Sequence, residues 1–446
     1  MRFSETSLGW GVNMSAAPIS LGRHRDLTLA YGAAHFGKSL FWNCGTLLLA
    51  FFLTEVAGLS PLAMGAVLAG SLLLSAATDV IIGRLLHRRL SHPLSAGSLQ
   101  VWGCIFVSLA LLGLFAAPLA PAALRFGWVL AALLALRVSY SVYDTPQNAL
   151  MTLATHDSSS RSRVAALRVA VSGLAALILA AGVLPLLASG AFSAPRQRIM
   201  LFVALGGAMA MIGLCTAIWL RWALSRVDLE HVSPSKAQSP VDPKAARAGA
   251  PMVELLPLYG IAFAFPFAMS AFAKLEPYYV AYVLASPVWA GALAIAGSSG
   301  VLLSQLAWGR VLRRLGRRWA FICLSFALLA SAVVFGLSAQ TAWKATIAAG
   351  LIGVASGGLN MLIWSTVADE AAARGREQVG LIYGVFTAVS KTAPAVSGLG
   401  LGVLLGQFDY RATGSDGLIL LISGFPILGA LACAGIALFW RERPAP

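Results

Sequence analysis

Along this chain, apolar residues neither alternate with polar ones nor keep to a single helical stripe. They come in runs of about 20 residues or more, separated by short polar breaks. Twelve such runs are legible. Six lie near 28–53, 62–86, 97–117, 126–155, 164–188 and 199–221, and six near 253–284, 288–309, 319–338, 343–368, 379–405 and 417–440. A backbone in hydrocarbon must satisfy its own hydrogen bonds, so each run predicts a membrane-crossing α-helix. The absence of alternation excludes a transmembrane β-barrel.

Composition agrees. Of 446 residues, 59% are hydrophobic and 11% are charged, with a mean hydropathy of +0.80. Soluble domains carry about 25% charged residues, so a soluble fold is excluded. The 44 glycines and 20 prolines suit membrane helices, where both residues are frequent. Cys44, Cys104, Cys215, Cys323 and Cys433 fall inside apolar runs at wide spacings, which makes neither a disulfide framework nor a metal motif.

The net charge of +15 is explained by where the charge sits. With an even number of spans, both termini share a side with five of the loops. That side carries 22 of the 32 basic residues. The opposite loops carry Arg125, Arg196, Arg198, Lys344 and Arg411. The asymmetry predicts cytoplasmic termini in a bacterial inner membrane, with anionic lipid rather than nucleic acid as the partner of the charge.

Residues 1–27 lack the apolar core of a cleavable signal and are read as a cytoplasmic tail. The Pro-, Ser-, Lys- and Ala-rich stretch 222–252 predicts a flexible cytoplasmic linker. It divides the chain into six-helix halves, 28–221 and 253–440, with 441–446 as a second cytoplasmic tail. The halves repeat weakly. The segment 78–89 resembles 304–315, and 156–163 matches 369–376 in its spacing of acid and arginines. The expected fold is an all-α membrane protein with twelve transmembrane helices in two pseudo-symmetric halves.

An ionisable side chain at mid-membrane costs roughly 3 kcal/mol on insertion scales and marks a functional site by default. Lys38, Asp79, Arg137, Asp144, Arg168, Lys274 and Lys391 occupy such positions, with Glu55 and Glu276 nearer helix ends. Ser75, Thr78 and Asp79 stand at i, i+3 and i+4, so three oxygens share one face of the second helix. Arg137, Ser141, Asp144 and Asn148 make a polar stripe on the fourth. An acid, an amide and hydroxyls in a cavity can exchange hydrogen bonds with a hydroxylated solute. The alternative is interhelical pairing alone, Asp79 with Lys391 and Asp144 with Arg137 or Arg168. Lys274 and Glu276, two apart, do not pair simply with each other. Gly398, Gly400, Gly402 and Gly406 on the eleventh helix predict close helix packing. The six histidines form no H-E-x-x-H pair, and neither a Walker A loop nor a G-x-S-x-G elbow occurs, so no enzyme is expected. Energy for transport then comes from an ion gradient or from the solute itself.

The stretch from Gly309 to Arg318 resembles the loop signature of the major facilitator superfamily, with Arg313 in place of its aspartate. Tyr31-Gly32, Phe36-Gly37-Lys38 and 54–60 (TEVAGLS) are similar to the melibiose-permease-like glycoside–pentoside–hexuronide:cation symporters. So are 140–146 (YSVYDTP), Tyr278-Tyr279, Tyr282, Val367-Ala368-Asp369 and Lys391. The resemblance runs over nearly the whole chain. It implies a cation-coupling site at Asp79, Ser75, Thr78 and Ser141. It also implies a solute site at Asp144, Arg168, Asn148 and Ser39, with Lys391 between the two. Lys38, Arg137, Lys274 and Glu276 are further candidate cavity charges.

This chain departs from the family at several of these positions. Ser75 and Thr78 replace an acid and an amide, Ser39 replaces the sugar-binding acid, and Asn148 stands where an aromatic often stacks. One titratable carboxylate suits a proton better than sodium, which needs several oxygens, although hydroxyls can also ligate sodium. The expectation is proton-coupled symport of a sugar or sugar derivative by a monomer, without cofactor or metal. An amphipathic lipid-like cargo, or a non-transporting receptor or assembly factor on the same scaffold, are the alternatives.

Overall fold

The computed structural model describes residues 25–85, 93–153, 158–189, 194–226, 252–373, 376–412 and 415–440. Every regular element among them is helical. Helix α1 spans Arg25–Leu47, resumes at Leu49–Phe51 and closes in a wide π-turn at Phe52–Val56, with a 52° bend at the break. There follow α2 (Pro61–Leu85), α3 (Pro93–Phe115), α4 (Ala122–Leu153), α5 (Ser158–Ala188) and α6 (Pro195–Ser225). The second half contains α7 (Leu256–Tyr279, ending in a π-turn at Val280–Leu284), α8 (Pro287–Leu315), α9 (Arg317–Ser338), α10 (Ala342–Ala373), α11 (Arg376–Leu405) and α12 (Asp416–Phe439).

Ten helices among the described residues are long and apolar enough to cross a membrane, and the bent α1 pair makes eleven. Helix α2 adds the apolar stretch Pro61–Ser75.

Boundaries shift where polar sequence stays helical. Helix α8 was expected to stop near 309, before a signature loop. It instead continues to Leu315, and α9 begins at Arg317. Gly316 alone makes the turn, at φ 72°, a conformation that costs glycine little. Helix α6 likewise runs to Ser225, into the expected linker. Most of that linker, residues 1–24 and 441–446 of the tails and the segment 154–157 lie outside the described residues.

Packing repeats between the halves. Helix α3 packs on α4 and α6, as α9 packs on α10 and α12. Helix α1 lies against α5 and α6, as α7 lies against α11 and α12. The halves meet along α2–α11 and α5–α8, which are equivalent pairs when six is added to each helix number.

In lipid no hydrophobic effect drives one helix onto another, so close van der Waals fit must do so. Small residues make that fit. A Cβ on Gly65 of α2 would lie 2.8 Å from the Gly398 carbonyl oxygen and 3.1 Å from Cα of Gly402, both on α11. Of the expected glycine row, Gly398 and Gly402 therefore form the seam, whereas Gly400 has nothing within 4 Å. Between α8 and α10, a Cβ on Gly353 would stand 2.1 Å from the Gly297 carbonyl. Between α3 and α4, one on Gly103 would stand 2.5 Å from the backbone nitrogen of Tyr143.

Backbone cannot yield as a flexible side chain can, so Gly103→Ala is expected to cost about 1–3 kcal/mol through forced backbone shifts. Gly113→Ala, in the same helix with nothing within 4 Å, is the control and should leave stability unchanged or slightly higher. Thermal unfolding of the purified variants separates the two. Equal midpoints would mean that glycine contacts do not set the α3–α4 distance.

Candidate solute and coupling site

Helix α1 presents Tyr31, His35 and Lys38 at helical spacing, all buried. Gly37 allows their placement. A Cβ there would lie 2.5 Å from Thr216 Oγ1 and 3.1 Å from Gly213 Cα, so α1 sits tight on α6 at this level. Lys38, 3% exposed, reaches α4 and donates from Nζ to Asp144 Oδ1 at 2.5 Å.

Asp144 begins a chain of polar contacts through three helices. Its Oδ2 accepts from Asn148 Nδ2 at 2.8 Å, and Asn148 Oδ1 accepts from Arg168 Nη2 of α5 at 2.6 Å. Below it, Tyr31 donates to the Gln147 carbonyl at 3.2 Å, and the same distance separates His35 Nδ1 from Gln147 Oε1. The Asp144 side chain retains 28% exposure, so the carboxylate is anchored yet reachable. Cations at both ends and an acid and amide between them present donors and acceptors in alternation. Such a row suits a hydroxylated solute, whose groups both give and accept hydrogen bonds.

The structure thus brings Asp144, Asn148 and Arg168 together. It also gives Asp144 a partner, Lys38, that differs from the Arg137 or Arg168 pairings considered from sequence. Ser39 is 3% exposed and bonds its own helix, donating to the His35 carbonyl at 2.7 Å. The meeting of Tyr31 and His35 with Gln147 was not anticipated. The signal was present in the i, i+4 spacing of Tyr31 and His35 and in an amide beside Asn148, but neither names a partner.

The expected coupling residues gather where α2 meets α4. Ser75 is buried, Thr78 donates to its carbonyl at 3.0 Å, and Thr78 Oγ1 lies 3.3 Å from Ser141 Oγ. Ser141 in turn donates to the Arg137 carbonyl at 3.3 Å. Asp79 belongs to α2, one residue beyond Thr78, and its side chain lies outside the described residues. Lys391 sits half-buried on α11. Glu276, on α7, is partly buried and makes no ion pair among the described residues.

A second polar cluster ties the two halves at the far end of α1. The Glu55 side chain is 3% exposed and accepts from Tyr282 at the end of α7, from Tyr410 at 2.7 Å and from Arg411 Nε and Nη2 at 3.1 Å each. Burial, then the hydrogen bond to Glu55, raises the Tyr410 phenol above its usual range, so it stays a donor. Beneath it, Thr54 and Tyr278 share a 2.8 Å hydrogen bond across the same junction. The two-pronged Arg411 contact makes this a specific closure rather than a loose surface pair.

Two six-helix halves joined by equivalent seams, with ionisable groups held inside the bundle, define a multi-pass membrane transporter of the major facilitator fold. The chain belongs to the MFS/sugar transport protein family, whose model matches residues 30–441. It is 24% identical over 395 residues to YagG of Escherichia coli (strain K12), described as a glycoside/cation symporter, covering 87% of this chain and 84% of that one. It is 26% identical over 238 residues to an uncharacterised symporter, sll1374, of Synechocystis sp. (strain ATCC 27184 / PCC 6803 / Kazusa), covering 52% of this chain and 43% of that one. A crystal structure of a POT family transporter in complex with 5-aminolevulinic acid superposes with a TM-score of 0.65 at 10% identity, over 94% of this chain and 97% of that one. That likeness supports the fold alone. Membership makes the protein a transporter of a small solute and not an enzyme.

Two predictions follow from this geometry. Lys38→Met leaves a partly buried carboxylate without its cation and should cost up to about 3 kcal/mol, whereas Lys38→Arg retains most stability. Thermal unfolding compares them, and equal midpoints for wild type and Lys38→Met would remove the ion pair from the account. Glu55→Gln should loosen the closure. Spin labels at Ser60 and Gln407, both exposed and on opposite halves, placed in a background without the native cysteines, should then report longer distances. An unchanged distance distribution would show that Glu55 does not hold this end shut.

Proposed function

We propose that the protein is a secondary active transporter that carries a sugar or sugar derivative into the cell together with a cation, the proton favoured over sodium. The supporting observation is the row Lys38–Asp144–Asn148–Arg168 inside the bundle; its Asp144 and Asn148 share α4 with Ser141, whose hydroxyl lies 3.3 Å from that of Thr78. The halves 28–221 and 253–440 rock about the α2–α11 and α5–α8 seams, and the 222–252 linker lets them move independently. The protein works as a monomer in a bacterial inner membrane, with both termini in the cytoplasm and the Glu55 closure on the outer face.

Asp79 loads and unloads the proton, helped by Ser75, Thr78 and Ser141. Lys391 lies between coupling and solute sites and competes with the coupling cation for Asp79. Solute binding shifts that competition, and this links the two occupancies. Asp144, Asn148 and Arg168 contact the solute, and Ser39 completes the site when the halves rearrange.

External pH is the decisive readout in lightly buffered, de-energised cells given glycosides, pentoses, uronates and polyols singly. Alkalinisation with one solute, abolished by Asp79→Asn, is expected. Labelled uptake of a solute with no pH change would replace the proton by sodium or by facilitation. Silence in both assays would overturn the sugar reading.

A further inference from the structure

Helices α9 and α12 pack closely and then part. Gly336 of α9 lies so near α12 that a Cβ on it would stand 2.9 Å from both Cβ and Oγ of Ser423. Gly336 is two residues from the end of α9, whereas Ser423 is seven residues into α12. At about 1.5 Å per residue, α12 therefore projects about 7 Å beyond α9 at this end. Asp416 follows the closure residue Arg411 by five positions, so this is the end of the bundle that Glu55 ties.

Beside the step lies a groove of about 520 Å³, within the range of ligand pockets, about 300–1,000 Å³. Val333 and Leu337 line it from α9, and Ile419, Leu420 and Ile427 from α12. Both helices cross the membrane, and neither takes part in the α2–α11 or α5–α8 seam. Leu337 is 85% exposed and Leu420 71%, so the groove opens to lipid and not to the space between the halves.

A charged group stands at its mouth. Asp416, in the first turn of α12, lines the groove, is exposed and forms no ion pair among the described residues. The preceding cation, Arg411, is committed to Glu55. An acid at this position complements the positive end of the helix dipole, a role that leaves its oxygens free to accept. From Asp416 to Ile427 the groove runs about 16 Å along α12. The hydrocarbon core of a bilayer is about 30 Å thick. The groove thus matches one leaflet, with a carboxylate at the headgroup end and apolar side chains along the rest.

In lipid, no hydrophobic effect draws an acyl chain into an apolar groove, so shape and headgroup decide which lipid stays. A carboxylate repels an anionic headgroup. A primary ammonium donates hydrogen bonds to it, whereas a quaternary ammonium has no proton to donate.

We propose that the α9–α12 groove binds a phospholipid whose headgroup ends in a primary ammonium, held by Asp416, with an acyl chain along Leu420 and Ile427. With the termini in the cytoplasm, this lipid belongs to the outer leaflet. The site is separate from the solute row and holds for any cargo.

Native mass spectrometry of the purified full chain tests this with dioleoyl phosphatidylethanolamine, phosphatidylcholine and phosphatidylglycerol, added singly. Wild type should retain phosphatidylethanolamine about 3- to 10-fold more tightly than the other two, as an exposed charged hydrogen bond predicts. Asp416→Asn should erase that preference, and Asp26→Asn, at the opposite end of the bundle, should keep it. Val333→Phe fills the groove and should weaken all three lipids. Leu337→Phe, from a position exposed to lipid, repeats the filling test independently. Equal retention of the three lipids by wild type would overturn the site, as would a preference that survives Asp416→Asn. Unchanged retention in both filling variants would also overturn it, because the ammonium would then be held without the groove.

Discussion

The Glu55 carboxylate is where the two halves are tied end to end. It comes from the N-terminal half, and its hydrogen bonds come from Tyr282, Tyr410 and Arg411 of the C-terminal half. A carboxylate that is 3% exposed must be met by strong donors, and here a two-pronged arginine and two phenols meet it. Apolar packing across the junction between Phe51, Tyr278 and Tyr410 lies beside the buried Glu55, while the Arg411 side chain stays half exposed. With one partner buried and the other half exposed, the strength of the ion pair rests on the two-pronged geometry. It is also reversible, because water can resolvate each partner once the halves part.

Away from that tie, the halves are held by shape. Gly65, Gly398 and Gly402 let α2 and α11 approach until backbone meets backbone, and Gly173 of α5 leaves room for the Leu302 side chain of α8. Contacts of this kind are strong when close and vanish over a small displacement. Seams of small residues with a polar tie at one end suit a molecule that alternates between two arrangements. Inside each half, side chains with no reason to slide close the bundle, such as the Phe52, Phe115 and Phe202 cluster.

Charge inside the bundle follows another logic. Lys38 pairs with Asp144, and Asn148 passes the polarity on to Arg168, so the row sets two cations against one carboxylate that is still partly exposed. Arg137 and Lys274 are buried cations that pair with no carboxylate among the described residues.

Much of the fold was legible from the chain alone. Runs of about 20 apolar residues must become helices in lipid, because no other backbone satisfies its own polar groups there. The count, the division into halves and the list of intramembrane charges follow from that constraint. Segment ends were less legible: α8 continues through the arginine-rich stretch because arginine is a good helix former, and only Gly316 provides a stop. Which charges meet was not legible. Lys38 finds Asp144 106 positions away, and Glu55 finds Arg411 356 positions away. Helical spacing fixes which residues share a face, but the rotation of each helix about its axis and its choice of neighbour arise from glycine-lined contacts between distant segments. Only the packed bundle decides those.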